Sequence, residues 1–353
     1  MTDQNNHLQS AVLEAFHSKS SLQIIGGNSK AFYGRKIHAD QTLDVSGNQG
    51  IVSYDPAELA ITVRAGTALK MLEQALLEHR QELPFEPPDF FEKSTIGGTV
   101  AAGLSGPHRP WGGAIRDAML GVKIINGRGQ ILKFGGQVMK NVAGYDVSRL
   151  LAGSLGTLGV LLEVSLKLQP QARHEITLVQ ASDFSSAHSP QAQWRQHIKN
   201  ITATAFDGET LFLRSRSEQP KLEKPNLINA DILENDNRFW SAIKNHQHTF
   251  FQDNATLWRI SVPPATPELP LPGDIFIEWD GGLRWLKSEA TAKEIWEITS
   301  QYGGHATLFR SNESSSTDIF QPIPDGLMAL QHRLKQAFDP ERIFNPGKIY
   351  PNL

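Results

Sequence analysis

An α+β fold is predicted for this chain, and three observations predict it. Short apolar runs bounded by Gly, Asn, Asp and Pro read as strands. Stretches with apolar residues three and four positions apart read as amphipathic helices. The two kinds mix without the strict alternation that a parallel βαβ chain would show. At 353 residues the sequence has length for about two domains. Glycine clusters crowd into residues 26–159, whereas six of the seven tryptophans follow Gln169, which places a domain boundary near Pro170.

The elements follow in order. Residues 22–25 form an apolar run stopped by Gly26-Gly27, and residues 51–54 and 60–65 read as strands joined by the turn Asp55-Pro56. A helix is expected within residues 67–80, because Leu69, Leu72 and Leu76 make one apolar stripe. Residues 122–125 and 131–134 flank Asn126-Gly127-Arg128-Gly129, whose residues tolerate positive φ, and read as a hairpin. From Val160 to Gln169 apolar and other residues alternate strongly enough to predict one buried and one mostly wet face. Leu327, Leu330, Leu334 and Phe338 mark the apolar stripe of a helix that starts near Asp325 and is closed by Asp339-Pro340. Residues 181–193 and 262–272 read as loops.

Composition removes several classes of function. A hydrophobic fraction of 39% and a charged fraction of 20% describe an ordinary globular protein. A net charge of −3 leaves no excess of cations for a nucleic-acid backbone. With no cysteine there are no disulfides, thiolate metal sites or iron–sulfur ligands, so an electron leaving this chain must cross to another molecule. Residues 1–16 lack the basic and apolar regions of a signal peptide. The longest uncharged apolar stretch, residues 150–162 between Arg149 and Glu163, is too short to span a bilayer. A cytoplasmic location, with no transmembrane segment and no metal site, is the expectation.

Three segments of small residues carry the chemistry. In the first, Ile25-Gly26-Gly27-Asn28-Ser29-Lys30, a strand breaks into a loop whose amides, unscreened by β-carbons, can converge on an anion. It is neither a Walker A loop nor a G-x-G-x-x-G fingerprint. The second, from Ser94 to Gly106, holds Thr95, Gly97, Gly98 and Gly103. It buries too little apolar area to be core and reads as a surface for a flat polar ligand. The third, from Gly144 to Gly159, runs into the alternating strand, and its plain alternative is a turning connection. Together they point to a long nucleotide cofactor threaded between them.

The succession is specific: Gly26-Gly27-Asn28-Ser29, Pro84-Phe85-Glu86-Pro87-Pro88, Ser94-Thr95-Ile96-Gly97-Gly98, Trp111-Gly112-Gly113-Ala114-Ile115-Arg116-Asp117, Lys140-Asn141-Val142-Ala143-Gly144-Tyr145-Asp146 and Gly156-Thr157-Leu158-Gly159. It resembles the FAD-binding domain of the vanillyl-alcohol oxidase and p-cresol methylhydroxylase (PCMH) type. Within that superfamily it is similar to the FAD-binding E subunits of bacterial glycolate oxidases. Residues 257–263, 277–285 and the ending Phe338-Asp339-Pro340 to Phe344-Asn345-Pro346-Gly347-Lys348 extend the likeness. The resemblance implies a two-subdomain PCMH-type FAD-binding domain over residues 1–170 and a smaller α+β cap-like domain over 171–320, for substrate or subunit docking. A helix and tail over 321–353 would return to the flavin.

By the same resemblance the pyrophosphate rests on Gly26, Gly27, Asn28, Ser29 and Lys30. Thr95, Gly97, Gly98, Gly103, Gly156, Gly159 and Val160 line the rest of the cofactor, and Asn345 comes back beside the ring. Some relatives attach flavin to a histidine of the first loop; Asn28 stands in that neighbourhood here, so non-covalent FAD is expected. A Gly27→Trp ring would fill the place of the phosphate. The implied reaction oxidises glycolate to glyoxylate, with hydride passing to flavin N5, a base taking the hydroxyl proton and a cation holding the carboxylate. His108, Arg109, Arg259 and Arg284 are the candidates for those roles. The plain alternatives are a solvated turn for His108-Arg109-Pro110 and a strand ion pair for Arg259.

The implied partners are a larger FAD-containing glycolate oxidase subunit and an iron–sulfur subunit, with peripheral membrane association through the complex; the substrate is a small 2-hydroxy acid. One departure matters. The His-rich and Glu-His-Gly motifs of relatives that oxidise 2-hydroxy acids are missing, and His246, His248 and His305 read as surface histidines. Two other readings therefore stay open: an FAD-binding assembly subunit without turnover of its own, and an independent flavin reductase of the same fold.

Overall fold

A computed structural model describes residues 3–136, 147–183, 194, 197–218, 230–233, 236–311 and 319–353. The segment 140–146 and most of the loop expected over 181–193 lie outside the described residues. The chain divides into two compact units. One comprises residues 1–105, 114–171 and 322–353, and the other residues 106–113 and 172–321. In chain order the longer described helices are α1 (Asn5–Ser18), α2 (Leu69–Leu77), α3 (Ile96–Ala102), α4 (Asp236–Lys244), α5 (Ala292–Gln301) and α6 (Asp325–Phe338).

In the first unit β1 (Leu22–Ile25) and β2 (Gln41–Asp44) pair in parallel. An antiparallel sheet is built from β3 (Ile51–Asp55), β4 (Ala60–Arg64), β6 (Met119–Ile125), β7 (Ile131–Gly135) and β8 (Val160–Lys167), in the order β3-β4-β8-β6-β7. The small pair β5 (Gln81–Glu82) and β9 (Gln169–Pro170) lies beside it in sequence. The leucines at 69, 72 and 76 in α2 are fully buried in the same core as Val63, Ile96, Val122 and Val164, as their spacing requires. A second core gathers Leu8 and Val12 of α1 with Leu22, Ile125, Val160 and Phe344.

Two expectations need correction. The first concerns β8, the middle strand of five, whose polar positions Glu163 and Ser165 are not wet although Lys167 at its end is exposed. They are satisfied across the ladder instead: Ser165 Oγ meets Thr62 Oγ1 at 2.8 Å, and Glu163 pairs with Lys123 at 3.2 Å. The second concerns α6, whose Leu327 and Leu330 are 53% and 44% exposed while Lys335 is only 2% exposed. The Lys335 ammonium is enclosed by three oxygens, Thr157 O, Phe344 O and Asp339 Oδ2, each at 2.8 Å. Asp339 in turn accepts the amides of Ile343 (3.1 Å) and Phe344 (2.8 Å). This saturated ion pair, together with Phe338 packed on Phe134 at 6.3 Å, fastens the end of α6.

The second unit is built on an antiparallel sheet of β10 (His174–Ala181), β11 (Ile201–Phe206), β12 (Thr210–Ser217), β13 (Asp231–Ile232), β14 (Leu257–Ser261), β15 (Asp274–Glu278), β16 (Leu283–Lys287) and β17 (His305–Arg310). Its order is β13-β10-β12-β11-β15-β16-β14-β17. Ile295 of α5 packs with Trp258, Ile260, Leu286 and Leu308. Trp240 of α4 is buried and donates its indole N–H to Thr177 Oγ1 at 2.8 Å. The period of two along each strand therefore separates Ile260, Leu286 and Leu308 from Arg259, Trp285 and Thr307 on the opposite face.

Candidate functional site

Strand β1 ends at Ile25, and the next residues turn where only glycine fits. A β-carbon on Gly26 would stand 2.5 Å from Thr95 Oγ1, and one on Gly27 would stand 1.5 Å from the carbonyl oxygen of Lys93. Asn28 follows with φ 54°, a left-handed conformation that asparagine tolerates. The main chain of this loop thus lies directly against residues 93–95. Among the described residues, the amides of Gly26, Gly27, Asn28, Ser29 and Lys30 donate to no group of the chain. Such a row of unspent donors is what an anion-binding nest requires.

Side chains complete the loop. Ser29 Oγ lies 2.9 Å from Ser94 Oγ, and Lys30 Nζ donates to Ser94 Oγ at 2.6 Å. Ser94 is itself fixed through its amide, which donates to Asp89 Oδ1 at 2.9 Å, and Phe90 lies under the Lys30 ammonium. Burial lowers the pKa of Lys30 to about 8, and Asp89 opposes that shift. The ammonium is thus held partly out of water in a site that gains from an added negative charge.

These groups line one open cleft of about 120 Å³. Gly26, Gly27, Asn28, Ser29, Lys30, Thr95, Gly98 and Asn345 line it, and no Asp or Glu does. Gly97, Gly103, Gly156, Gly159 and Val160 do not; they shape the wall behind it. The amide of Gly97 donates to Ala65 O at 2.7 Å, and Gly103, with φ 68°, ends α3. Gly156, at φ 73°, leaves room for Asn345 Nδ2. Gly159 sits close to the Ile125 carbonyl, and Val160 is in the core. Thr95 caps α3 by accepting from the Gly98 amide at 3.2 Å. Asn345 is a staple: its Oδ1 accepts from Ile24 N at 2.8 Å and its Nδ2 donates to Leu155 O at 2.7 Å. Ala101, Ala102, Leu155 and Lys348 also line the cleft without having been assigned from sequence.

The four other candidates all belong to the second unit, but they do not form one cluster. The guanidinium of Arg109 lies 4.4 Å, and that of Arg259 5.2 Å, from the centre of the Trp279 ring. Pairing places His305 opposite Ser261, on the face shared by Arg259. Burial first, then the charges of Arg259 and Arg109, hold the His305 imidazole below its ordinary pKa, so it is neutral near pH 7. His108 is not a solvated turn residue: it is 6% exposed, with Nδ1 2.9 Å from the carbonyl of Thr202. Arg284 sits opposite Ile260 and so faces away from Arg259. Its guanidinium donates to the carbonyls of Pro267 (2.7 Å), Gly281 (3.4 Å) and Thr266, bracing the 262–272 loop. His246 is also no surface residue, since it stacks on Phe251 at 4.1 Å and meets Arg310 through Nδ1 at 3.0 Å.

Comparison with known proteins agrees with this geometry. A family model described as FAD binding domain matches residues 2–135, and one described as FAD linked oxidases, C-terminal domain, matches residues 322–349. The chain is 43% identical over 352 residues to the glycolate oxidase subunit GlcE of Escherichia coli (strain K12), covering 99% of both chains. It is 34% identical over 131 residues to the glycolate oxidase subunit GlcD of Bacillus subtilis (strain 168), covering 36% of this chain and 27% of that protein. An alkyldihydroxyacetonephosphate synthase structure superposes with a TM-score of 0.67 at 16% identity, over 97% of this chain and 74% of the other, a likeness of fold. The cofactor is FAD, and the cleft fits it: the glycine cradle admits a diphosphate close to the main chain, free amides and a lysine meet its charge, and no carboxylate lines the cleft. The chain therefore belongs to the glycolate oxidase subunit GlcE family of FAD-linked oxidoreductases.

Proposed function

We propose that this chain is the non-covalent FAD-binding subunit of a multi-subunit glycolate oxidase, in which electrons taken from glycolate pass on to an iron–sulfur partner. The observation that supports this most is the cleft with five unspent amides and no acidic lining, in a chain with end-to-end likeness to GlcE. Bound FAD supplies two-electron acceptance there. The first unit's residues hold it through the amides of 26–30 and through Lys30. In the second unit Arg109 and Arg259, gathered on Trp279, offer a carboxylate its counter-charge, and neutral His305 offers a proton acceptor. His108 and Arg284 act in this reading as positioning residues, through Thr202 and the 262–272 loop.

The test is anaerobic mixing of the FAD-loaded complex with glycolate, followed by spectra of the flavin on this chain. Bleaching of that flavin, with electrons delivered to the iron–sulfur partner, is the expected result; a flavin on this chain that stays oxidised while glycolate is consumed overturns it. Arg259→Met in the complex is expected to lower kcat/KM for glycolate by roughly 100-fold, the scale of a lost charge-assisted contact. An unchanged kcat/KM removes the second unit from substrate binding. Asn28→His is expected to leave the flavin releasable by acid, because a covalent bond needs more than a nearby imidazole; precipitated protein that stays yellow contradicts this.

A further inference from the structure

We propose that Lys348, in the C-terminal tail, is a diphosphate-binding residue that acts with Lys30, so that the chain discriminates FAD from flavins without a diphosphate by two lysines from opposite ends of its sequence. This deepens the FAD reading and rests on it. Three observations carry it. Lys348 lines the same cleft as the 26–30 loop, although it is some 300 residues away in sequence. Among the described residues its ammonium makes no hydrogen bond or ion pair, and the cleft lining has no carboxylate to neutralise it. The backbone holding it is fixed: its amide donates to Asn345 O at 3.1 Å and its carbonyl accepts from Arg35 N at 2.9 Å. Its stem runs past Gly34, where an added β-carbon would lie 3.2 Å from Lys348 Cε and 2.9 Å from Leu155.

An ammonium held in a cleft without a partner is costly unless a ligand supplies the missing charge. Burial alone lowers the Lys348 pKa to about 8, the same value that burial gives Lys30. A diphosphate linkage carries two negative charges near neutral pH, which two ammonium groups balance. The protons on both lysines are then held more tightly with FAD bound than without it. By linkage, FAD affinity is fully present below pH 8 and falls as pH rises through that value.

The experiment is titration of the FAD-free full chain with FAD and, separately, with riboflavin, which has the same ring and no phosphate. Lys348→Met is expected to weaken FAD binding about 10- to 100-fold and leave riboflavin binding unchanged, with Lys348→Arg recovering most of the FAD affinity. A Lys348→Met protein that binds FAD like the wild type, or that loses riboflavin equally, overturns the proposal while leaving the FAD reading intact. A wild-type chain that binds no FAD overturns that reading instead. Should the variant fail to fold, the wild type still decides. Between pH 7.5 and 9.5 the slope of log affinity for FAD is expected to approach −2, against a flat riboflavin profile. A slope of −1, attributable to Lys30 alone, or a flat one contradicts the role of Lys348.

Discussion

Gly27→Ala yields a protein that folds and does not retain FAD. The added methyl would stand 1.5 Å from the Lys93 carbonyl oxygen, and its neighbour there is main chain rather than a side chain that could swing aside. Either the 26–30 loop or the segment carrying Ser94 and Thr95 must move. Both form the cleft, through the Ser29–Ser94 contact at 2.9 Å and the row of amides. Losing two or three charge-assisted hydrogen bonds together weakens affinity roughly 1,000-fold, about 4 kcal/mol. The steric cause lies one step earlier than a phosphate displaced by a tryptophan ring, so the smallest side chain suffices. Gly27 belongs to neither core of the first unit, so the melting temperature should change little. Gly326→Ala is the control, since a β-carbon there meets nothing within 4 Å. Gel filtration with excess FAD followed by a spectrum checks the pair: a yellow Gly27→Ala protein would count against the cradle.

Lys335→Met destabilises the first unit by about 3–5 kcal/mol, the cost of removing one partner from a buried ion pair. Methionine fills the volume, but Thr157 O and Phe344 O lose their 2.8 Å donor, and Asp339, 0% exposed, keeps its charge with only the two amides. Thr157 adjoins Gly156 and Phe344 adjoins Asn345, so the damage reaches the Asn345 staple and thereby the cleft. Thermal melting should show a fall of roughly 6–20 °C, at 2–4 °C per kcal/mol for a unit of this size. Lys335→Met combined with Asp339→Asn should recover part of it by removing the stranded charge. A single variant that melts with the wild type would show that the pair is neutral in the balance.

Much of the first unit was legible because its signals are local. β1 ends where Gly26 and Gly27 stop an apolar run, the β6–β7 hairpin turns on Asn126-Gly127, and α2 buries the three leucines its spacing picks out. What failed is what depends on distant partners. The alternation of β8 is real, but Ser165 and Glu163 are satisfied by Thr62 and Lys123 on neighbouring strands, which sequence alone does not reveal. Of the α6 stripe, Leu327 and Leu330 face outward and Phe338 packs inward beside a buried lysine, whose burial Asp339 and two carbonyls make possible. Helix α1 buries Leu8, Val12 and Ala15 at helical spacing with Ala11 and Phe16 packed beside them, but two of these five are alanines, which make a weak apolar signal.

At the candidate site the division is the same. The first loop announces itself through glycines that main-chain contact demands. Gly97, Gly103, Gly156 and Gly159 look alike in sequence but serve packing and turning behind the cleft. Arg259 and Arg284 are comparable as strand arginines, and only the register Arg259↔Trp285 and Ile260↔Arg284 sends them to opposite faces. Lys348 stands in a quoted motif, and its meaning emerges once the tail returns to β1 through the bridge between Leu22 and Phe344.

The central claim is that the glycine loop and its neighbours grip a dinucleotide by main-chain donors and lysine charge. Its most direct measurement is equilibrium binding of FAD to the purified, flavin-free chain, with adenosine diphosphate as competitor. Saturable uptake of one FAD per chain, displaced by the competitor, is the predicted result. A chain that takes up no FAD, or whose bound FAD is indifferent to the diphosphate, would contradict it.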